Sequence, residues 1–321
     1  MREGYTVAVV GAGLVGDRIV AELRRRDFPL KDLRVLARTA RRATLAGEEF
    51  DVGVAEPEAF EGVDIAFFAG TEGEKGAAVQ LAGEAIARGA VVIDNGSDFR
   101  LDPKVPLVVP EVNADALEGH EGLIANANCS TITMLLPLAP LIRRFGAKKV
   151  VVSTYQAVSG SGREGVDALE NGREGVYPKP IKGNAIPLIG GAGDDGYTTE
   201  ERKMRLESRK ILGLPDLEVY ATAVRIPVHT AHSESVFVET EREAGLEEVV
   251  ETLRAAPGVV FSGDADDFPT PLEAVGDSGT FVGRVRVEGN NVQFWCVSDN
   301  LLKGAATNAV QIAEELVGVR V

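Results

Sequence analysis

The sequence is poor in cysteine and histidine: two cysteines, Cys129 and Cys296, and three histidines, His120, His229 and His232, among 321 residues. Two distant thiols cannot form the disulfide framework of a small secreted domain, so free thiols in a reducing compartment are expected. Neither thiol sits with histidine at metal-ligand spacing and the acids are spread out, so no metal site is expected. No run approaches the roughly 18–20 apolar residues of a membrane span, and the opening MREGYTVAVV lacks a signal-peptide layout. A cytoplasmic protein is expected. Positive charge is also short. Lys and Arg number 34 against 49 Asp and Glu, a formal net charge of −15. Such a surface repels nucleic acid and anionic membranes, so neither is an expected partner. An anionic small substrate would need a local basic pocket set against the global charge.

What remains is a globular composition, 45% hydrophobic and 26% charged, in a chain long enough for one large domain or two ordinary ones. The first third alternates between strand and helix. TVAVV (6–10), LRVLA (33–37), DIAFFAG (64–70) and AVVID (90–94) read as strands; 11–26 and 76–89 read as helices. This alternation predicts a parallel sheet covered on both faces. After Cys129 the texture changes. A helix over about 131–144 leads to strands at 149–160, 217–228, 234–241, 283–289 and 292–299, which predict a mixed or antiparallel sheet with helices on one face. The segment 301–318 returns to a helix. The Gly- and Pro-rich loop near 173–197 is too long for a mere connector.

Gly11-Ala12-Gly13-Leu14-Val15-Gly16 matches G-x-G-x-x-G between a strand and a helix. Glycines there let the backbone approach a pyrophosphate, and the helix N-terminus supplies N–H donors, so the segment is expected to bind a dinucleotide. Past the second strand the run Ala37-Arg38-Thr39-Ala40-Arg41-Arg42 lacks the acid that holds a ribose 2′-hydroxyl. Its arginines suit a 2′-phosphate, which favours NADP over NAD; the alternative is a solvated basic turn. Cys129 stands at the start of an apolar helical run, among Asn126, Asn128, Ser130 and Thr131. A helix N-terminus stabilises a thiolate, so Cys129 is a candidate nucleophile, whereas Cys296, in FWCVS, reads as a small buried hydrophobe. The nucleophile needs a proton partner. His229 and His232, in RIPVHTAHSESV, share that candidacy, while His120 lies in a polar loop. Arg225, in an apolar strand, either forms a salt bridge or receives a substrate carboxylate.

The motifs DNGSDFRLDPKVPLVVPEVN (94–113), NANCST, TYQAVSGSG (154–162), RIPVHTAHSE (225–234), FPTP (268–271), VGRVR (282–286) and SDNLLKGAATNAVQIAE (298–314), in that order, resemble aspartate-semialdehyde dehydrogenase nearly end to end. The resemblance implies NADPH-dependent, reversible reduction of β-aspartyl phosphate to aspartate β-semialdehyde and phosphate, in the biosynthesis of lysine (through diaminopimelate), threonine, methionine and isoleucine. It implies a Rossmann-type NADP-binding domain, 1–127 with the C-terminal helix 302–321, and an α+β catalytic and dimerisation domain with a mixed or antiparallel sheet, 128–301, in a cytoplasmic homodimer. Cys129 matches the family nucleophile and Gln156 a residue orienting substrate and water. His232 matches the general acid/base, which decides against His229. Arg225 matches the holder of the α-carboxylate, and Glu200 resembles the acid for the amino group. Arg100, Asn128 and Lys203 resemble phosphate binders. Gly11, Gly13, Leu14, Val15, Gly16, Arg38, Thr39, Ser159, Gly160, Asn300 and Gly304 are implied at the coenzyme, Asn300 and Gly304 on its nicotinamide side.

The sequence departs from the family pattern in several places. Its glycine loop is one residue shorter than G-x-x-G-x-x-G. Ala127 stands for the proline before Asn-Cys, Ala231 for the glycine before His-Ser-Glu, and Gly-Ser-Asp-Phe-Arg for Ser-Ser-Ala-Phe-Arg. Segments 38–42 and 69–73 match loosely. Two rival readings are N-acetyl-γ-glutamyl-phosphate reductase, in which an acid for a free ammonium group would be out of place, and a non-catalytic NADP-binding paralogue, which would be expected to lose the nucleophile or base.

Overall fold

The computed structural model describes residues 4–70, 73–263 and 266–319. Thr71 and Glu72, within the loosely matching 69–73 segment, lie outside the described residues, as do the last two residues of the expected range 302–321. The chain forms two compact units, Met1–Ala127 with Ala305–Val321, and Asn128–Gly304.

The first unit is an eight-stranded sheet. Its strands are β1 (Tyr5–Val10), β2 (Leu30–Ala37), β3 (Arg41–Leu45), β4 (Glu48–Val54), β5 (Ile65–Phe68), β6 (Val91–Asp94), β7 (Leu107–Val108) and β8 (Leu123–Asn126), in the order 3-4-2-1-5-6-8-7. All neighbours are parallel except β3 and β4. Its helices are α1 (Leu14–Arg25), α2 (Ala77–Ala87), the single turn α3 (Pro110–Asn113) and, from the end of the chain, the helix Thr307–Val317. Successive strand residues point to opposite faces. Val7 and Val9 of β1 therefore pack with Ile19, Val20 and Leu23 of α1 and with Val310 and Ile312 near the C-terminus. Ala8 and Val10 pack with Ala78, Ala82 and Ala85 of α2. This two-sided burial is what the apolar run TVAVV predicts.

Four strands of this unit, β3, β4, β7 and β8, were not legible as strands in the sequence. The basic run after β2 continues into the antiparallel hairpin β3–β4, turned through Ala46 (φ 50°) and Gly47 (φ 79°). Two positive φ values suit the right-handed twist of a two-residue hairpin, but Ala-Gly carries a weaker signal than Asn-Gly. Arg41 and Arg42 are thus strand residues, Arg42 paired with Asp51 at 3.1 Å. Leu123–Asn126, short and partly polar, is strand β8 beside β6.

The second unit contains β9 (Lys149–Gln156), β10 (Glu218–Arg225), β11 (His232–Glu239), β12 (Val259–Phe261), β13 (Thr280–Glu288) and β14 (Asn291–Ser298) in the order 10-9-11-14-13-12. β9 with β10 and β12 with β13 are parallel and the rest antiparallel, a mixed sheet as expected. Its helices are α4 (Cys129–Phe145), α5 (Gly162–Glu170), α6 (Thr199–Leu212), α7 (Leu246–Arg254) and the short α8 (Pro271–Ala274). The strand expected over 149–160 stops at Gln156, and Val158–Ser161 is a 3₁₀ turn. The final helix opens with a π-helical turn, Leu302–Ala306, before α9 (Thr307–Val317).

α4 carries Pro137 and Pro140 in its interior. A helical proline leaves the carbonyl four residues back without its donor. The carbonyl freed by Pro137 is that of Thr133, and the Cys296 thiol donates to it at 3.7 Å. Cys296 is fully buried, as its apolar strand predicts, and it supplies this weak donor as well.

Candidate active site

The nucleophile candidate is placed by a helix cap. Cys129 is the first residue of α4, and Asn128 is its N-cap: Asn128 Oδ1 accepts from the backbone N–H of Ser130 (3.0 Å) and Thr131 (3.1 Å). These are donors a helix start leaves open. Asn128 Nδ2 donates to Glu200 Oε1 at 3.0 Å, and its backbone N–H donates to Glu207 Oε2 at 2.7 Å. Gly304 lies against the nucleophile, since a Cβ there would be 2.9 Å from that of Cys129. Only glycine fits that approach.

The acids come from α6. Thr198 and Glu201 close a capping box at its start. Glu200, Lys203 and Glu207 then recur at helical spacing and share one face. Glu200 Oε1 also accepts from Gln156 Nε2 at 3.2 Å, and its Oε2 lies 4.0 Å from Lys203 Nζ.

The remaining polar groups stand where strands end. Arg225 closes β10 and pairs in register with Gln156 at the end of β9. Ser233 faces Tyr155, which sets His232 beside Gln156; on its other side His232 faces Ser298 of β14. Arg225, Gln156 and His232 thus form a row at one edge of the sheet. Arg225 Nη1 donates to Ala157 O at 2.6 Å, its Nε has no hydrogen-bond partner, and no carboxylate pairs with it among the described residues. The salt-bridge reading of Arg225 is therefore not met. The backbone N–H of Ala157 donates to His232 Nδ1 at 3.1 Å, and His232 Nε2 is buried with no partner. A Cβ on Gly160 would lie 2.9 Å from Arg225 Nη1 and 3.3 Å from His232 Nε2, so the absent side chain keeps both groups open. Burial first, then the Arg225 charge, holds the His232 pKa well below its usual 6.5. His229 is exposed and instead sits 3.5 Å from Glu170.

Asn300 binds this region together. Its Oδ1 accepts from Ala231 N–H at 3.0 Å, and its amide meets Ser159 Oγ at 3.0 Å. Ala231, standing for the family glycine, keeps the left-handed backbone at φ 75°. An L-residue there costs about 1–2 kcal/mol; its methyl is fully buried with Ala274 and Val297.

The coenzyme residues expected in the glycine loop lie in the first unit. Gly11 has φ 118°, and a Cβ there would meet Ala69 O at 2.6 Å; one on Gly16 would meet Gly11 O at 1.8 Å. Nothing lies within 4 Å of the Cβ position of Gly13, and α1 begins at Leu14 and Val15 with no side-chain cap. An uncapped helix start behind an open glycine suits a pyrophosphate, so these residues fit a dinucleotide despite the shortened loop. Arg38 and Thr39 follow β2 on the exposed surface. Arg100 is also in this unit, buried, with Nη2 on Asn95 O at 2.8 Å.

Two acids escaped the sequence reading. Glu207, seven residues after Glu200, could have been found by helical spacing. Glu234, two residues after His232 on the same face of β11, is fully buried, and neither of its carboxyl oxygens has a hydrogen-bond partner. Burial first, then the charge of Glu200, raises its pKa well above 4.5. Among the described residues no group of three His, Cys, Asp or Glu could hold a metal ion, and no helix is long and apolar enough to cross a membrane.

Residues 6–120 match the family model described as semialdehyde dehydrogenase, NAD binding domain, and residues 138–303 the one described as semialdehyde dehydrogenase, dimerisation domain. The aspartate-semialdehyde dehydrogenase of Bacillus subtilis is 47% identical over 98% of both chains, and that of Aquifex aeolicus 45% identical, also over 98% of both. Among solved structures, aspartate semialdehyde dehydrogenase II of Vibrio cholerae complexed with ASA superposes with a TM-score of 0.93, at 39% identity and 98% coverage of each chain. The chain belongs to the aspartate-semialdehyde dehydrogenase family.

Proposed function

We propose that this aspartate-semialdehyde dehydrogenase uses NADP and works through a Cys129 thioester, converting β-aspartyl phosphate and aspartate β-semialdehyde into one another. The observation that carries the reading is Cys129 at the capped start of α4, held on the Asn128–Glu200–Gln156 network. A helix N-terminus favours negative charge at that point, so the thiolate is placed to attack the acyl carbon. The bound nicotinamide supplies or accepts the hydride. Arg225, with no carboxylate of its own among the described residues, receives the substrate α-carboxylate, and Glu200 receives the ammonium group. Gln156 orients the substrate from the same row. His232 serves the carbonyl oxygen with its Nε2 proton. Lys203, Asn128 and Arg100 offset the charge of the leaving phosphate. An anionic substrate needs such local positive charge in a chain of net charge −15. Gly11, Gly13, Leu14, Val15 and Gly16 hold the pyrophosphate, Arg38 and Thr39 the 2′-phosphate, and Ser159, Gly160, Asn300 and Gly304 the nicotinamide side. The active species is a cytoplasmic homodimer.

The test is NADP⁺ reduction by aspartate β-semialdehyde with and without phosphate, beside Cys129→Ala and with NAD⁺ in parallel. Phosphate-dependent turnover that the variant loses, while still binding NADPH, is the expected result. Equal rates with NAD⁺ and NADP⁺ would remove the role given to Arg38. A Cys129→Ala variant that turns over like the parent would remove the thioester.

A further inference from the structure

We propose that Glu207 is a positioning residue for the nucleophile: its carboxyl group accepts the backbone N–H at the N-cap of α4 and so fixes the direction in which Cys129, the next residue, presents its thiol. This rests on the reading of Cys129 as the nucleophile and gives Glu207 a part that acts through Asn128. An N-cap residue has two groups to place, its side chain and its own N–H. In a capping box the side chain at the third helical position takes that N–H. α6 does this within itself, Thr198 N–H donating to Glu201 Oε2 at 2.7 Å. α4 does not. Its third residue is Thr131, whose hydroxyl has no hydrogen-bond partner among the described residues, and Asn128 is buried away from water. Glu207 Oε2 accepts the Asn128 N–H instead, also at 2.7 Å. The box that α4 lacks is completed from α6.

The support is built on a helix closed at both ends. α6 starts at its capping box and stops at Gly213, in the left-handed region at φ 66°. It packs against α4, with Glu200, Met204, Glu207 and Ser208 buried. Asn128 is therefore held at two points: Glu200 accepts from Nδ2 at 3.0 Å, and Glu207 accepts from the backbone N–H. The two acids stand two turns apart on one face, about 10.5 Å along the helix. One tether lets a residue pivot about it; two do not. The Cα–Cβ bond of Cys129 leaves from the following peptide, so its aim follows that of Asn128.

The consequence is one of geometry. Attack needs the sulfur and the carbonyl group in a narrow arrangement, and a displacement of about 1 Å can cost about 10²-fold in rate. Without an acceptor at position 207, a buried N–H must find another partner, and Asn128 shifts to reach it. The caps it makes on Ser130 and Thr131 shift with it. The thiol keeps its place at a helix start. Reaction with a substrate whose own position is fixed should suffer, whereas reaction with a small electrophile that nothing holds should not.

Glu207→Gln and Glu207→Met both keep an unbranched side chain of similar length, and only glutamine keeps an acceptor oxygen. For each, rapid mixing follows the first turnover of NADP⁺ with aspartate β-semialdehyde and phosphate, beside KM for the aldehyde, NADPH affinity and the rate at which iodoacetamide alkylates Cys129. Cys296 is fully buried, and Cys129→Ala identifies the labelled site. All rates are taken well below each variant's melting temperature, so a loss of stability alone does not enter. Glu207→Met should lose about 10–10²-fold in first-turnover rate, with KM, NADPH affinity and alkylation rate within about threefold of the parent. Glu207→Gln should recover most of that loss. A first turnover unchanged in Glu207→Met, a glutamine no better than methionine, or alkylation that falls in step with turnover would overturn the assignment. Should Glu207→Met fail to fold, Glu207→Asp, which keeps the carboxyl and shortens its reach, meets the same expectation and the same overturning results. A parent whose turnover survives complete alkylation of Cys129 would instead count against the nucleophile itself.

Discussion

Two buried side chains on one face of β11 carry opposite pH dependences. Glu234 has a raised pKa in the fold. The unfolded chain ionises that carboxyl from about 4.5 upward, whereas burial in the fold opposes its ionisation. Its stability contribution is therefore fully present below pH 4.5 and falls as pH rises toward the folded value. His232 has a lowered pKa. Its contribution is present above the unfolded value of 6.5 and falls as pH drops below it. Glu234→Gln preserves the shape and cannot ionise. Its melting temperature should therefore gain on the parent steadily from about pH 4.5 to pH 8, and match it most closely in acid. Melting curves of both proteins across that range check this. A gap that stays constant with pH would show that Glu234 is ionised in the fold. At pH 7 kcat/KM of Glu234→Gln should stay within about threefold of the parent, because the amide keeps the shape of a carboxyl whose ionisation burial opposes.

At the scale of elements, the start of α4 joins stability to chemistry. Asn128→Ala removes the cap of the helix that begins at Cys129, together with the link to Glu200. The expected loss is about 0.5–2 kcal/mol of unfolding free energy, with kcat reduced at least tenfold and NADPH affinity unchanged. Denaturant titration and steady-state kinetics separate the two effects. A stability loss with kcat intact would reduce Asn128 to a cap alone. The same element shows how far the sequence can be read. The polar cluster around Cys129 and the apolar run behind it mark a helix start, and the resemblance supplied the roles of Gln156, Arg225 and His232. Their placement in one row could not be read, because it follows from strand register between segments far apart in the chain. Glu234 was invisible for a related reason: it looks like an ordinary surface acid until β11 is seen to turn that face inward, whereas Glu207 was within reach of the helical spacing from Glu200. The β3–β4 hairpin was missed because Ala-Gly is a weak turn signal and each strand opens on two adjacent charges, Arg41-Arg42 and Glu48-Glu49, which break the period-two pattern of a strand.

The whole molecule raises a question of charge. The sheet of the second unit packs α4 through its residues on β11, β13 and β14. Its other face carries Tyr220, Val151 and Phe237 in one cross-strand row, with Ser153, Ser235 and Trp295 in the next. Val151 and Tyr220 are 40% and 44% exposed, and the rings of Tyr155 and Trp295 lie 5.5 Å apart. An apolar sheet face of this kind marks an association surface, and the matching dimerisation model over residues 138–303 includes it. Each copy carries a net charge of −15, so association must overcome long-range repulsion that salt screens within a Debye length of about 10 Å at 0.1 M. The homodimer should therefore tighten as ionic strength rises, opposite to an assembly held by ion pairs. Val151→Arg/Tyr220→Glu places charges on the face while leaving the inward residues of both strands untouched. Sedimentation velocity should find this variant monomeric at concentrations where the parent is dimeric, with coenzyme binding retained. A variant that stays dimeric, or a parent dimer that dissociates on adding salt, would move the interface away from this face.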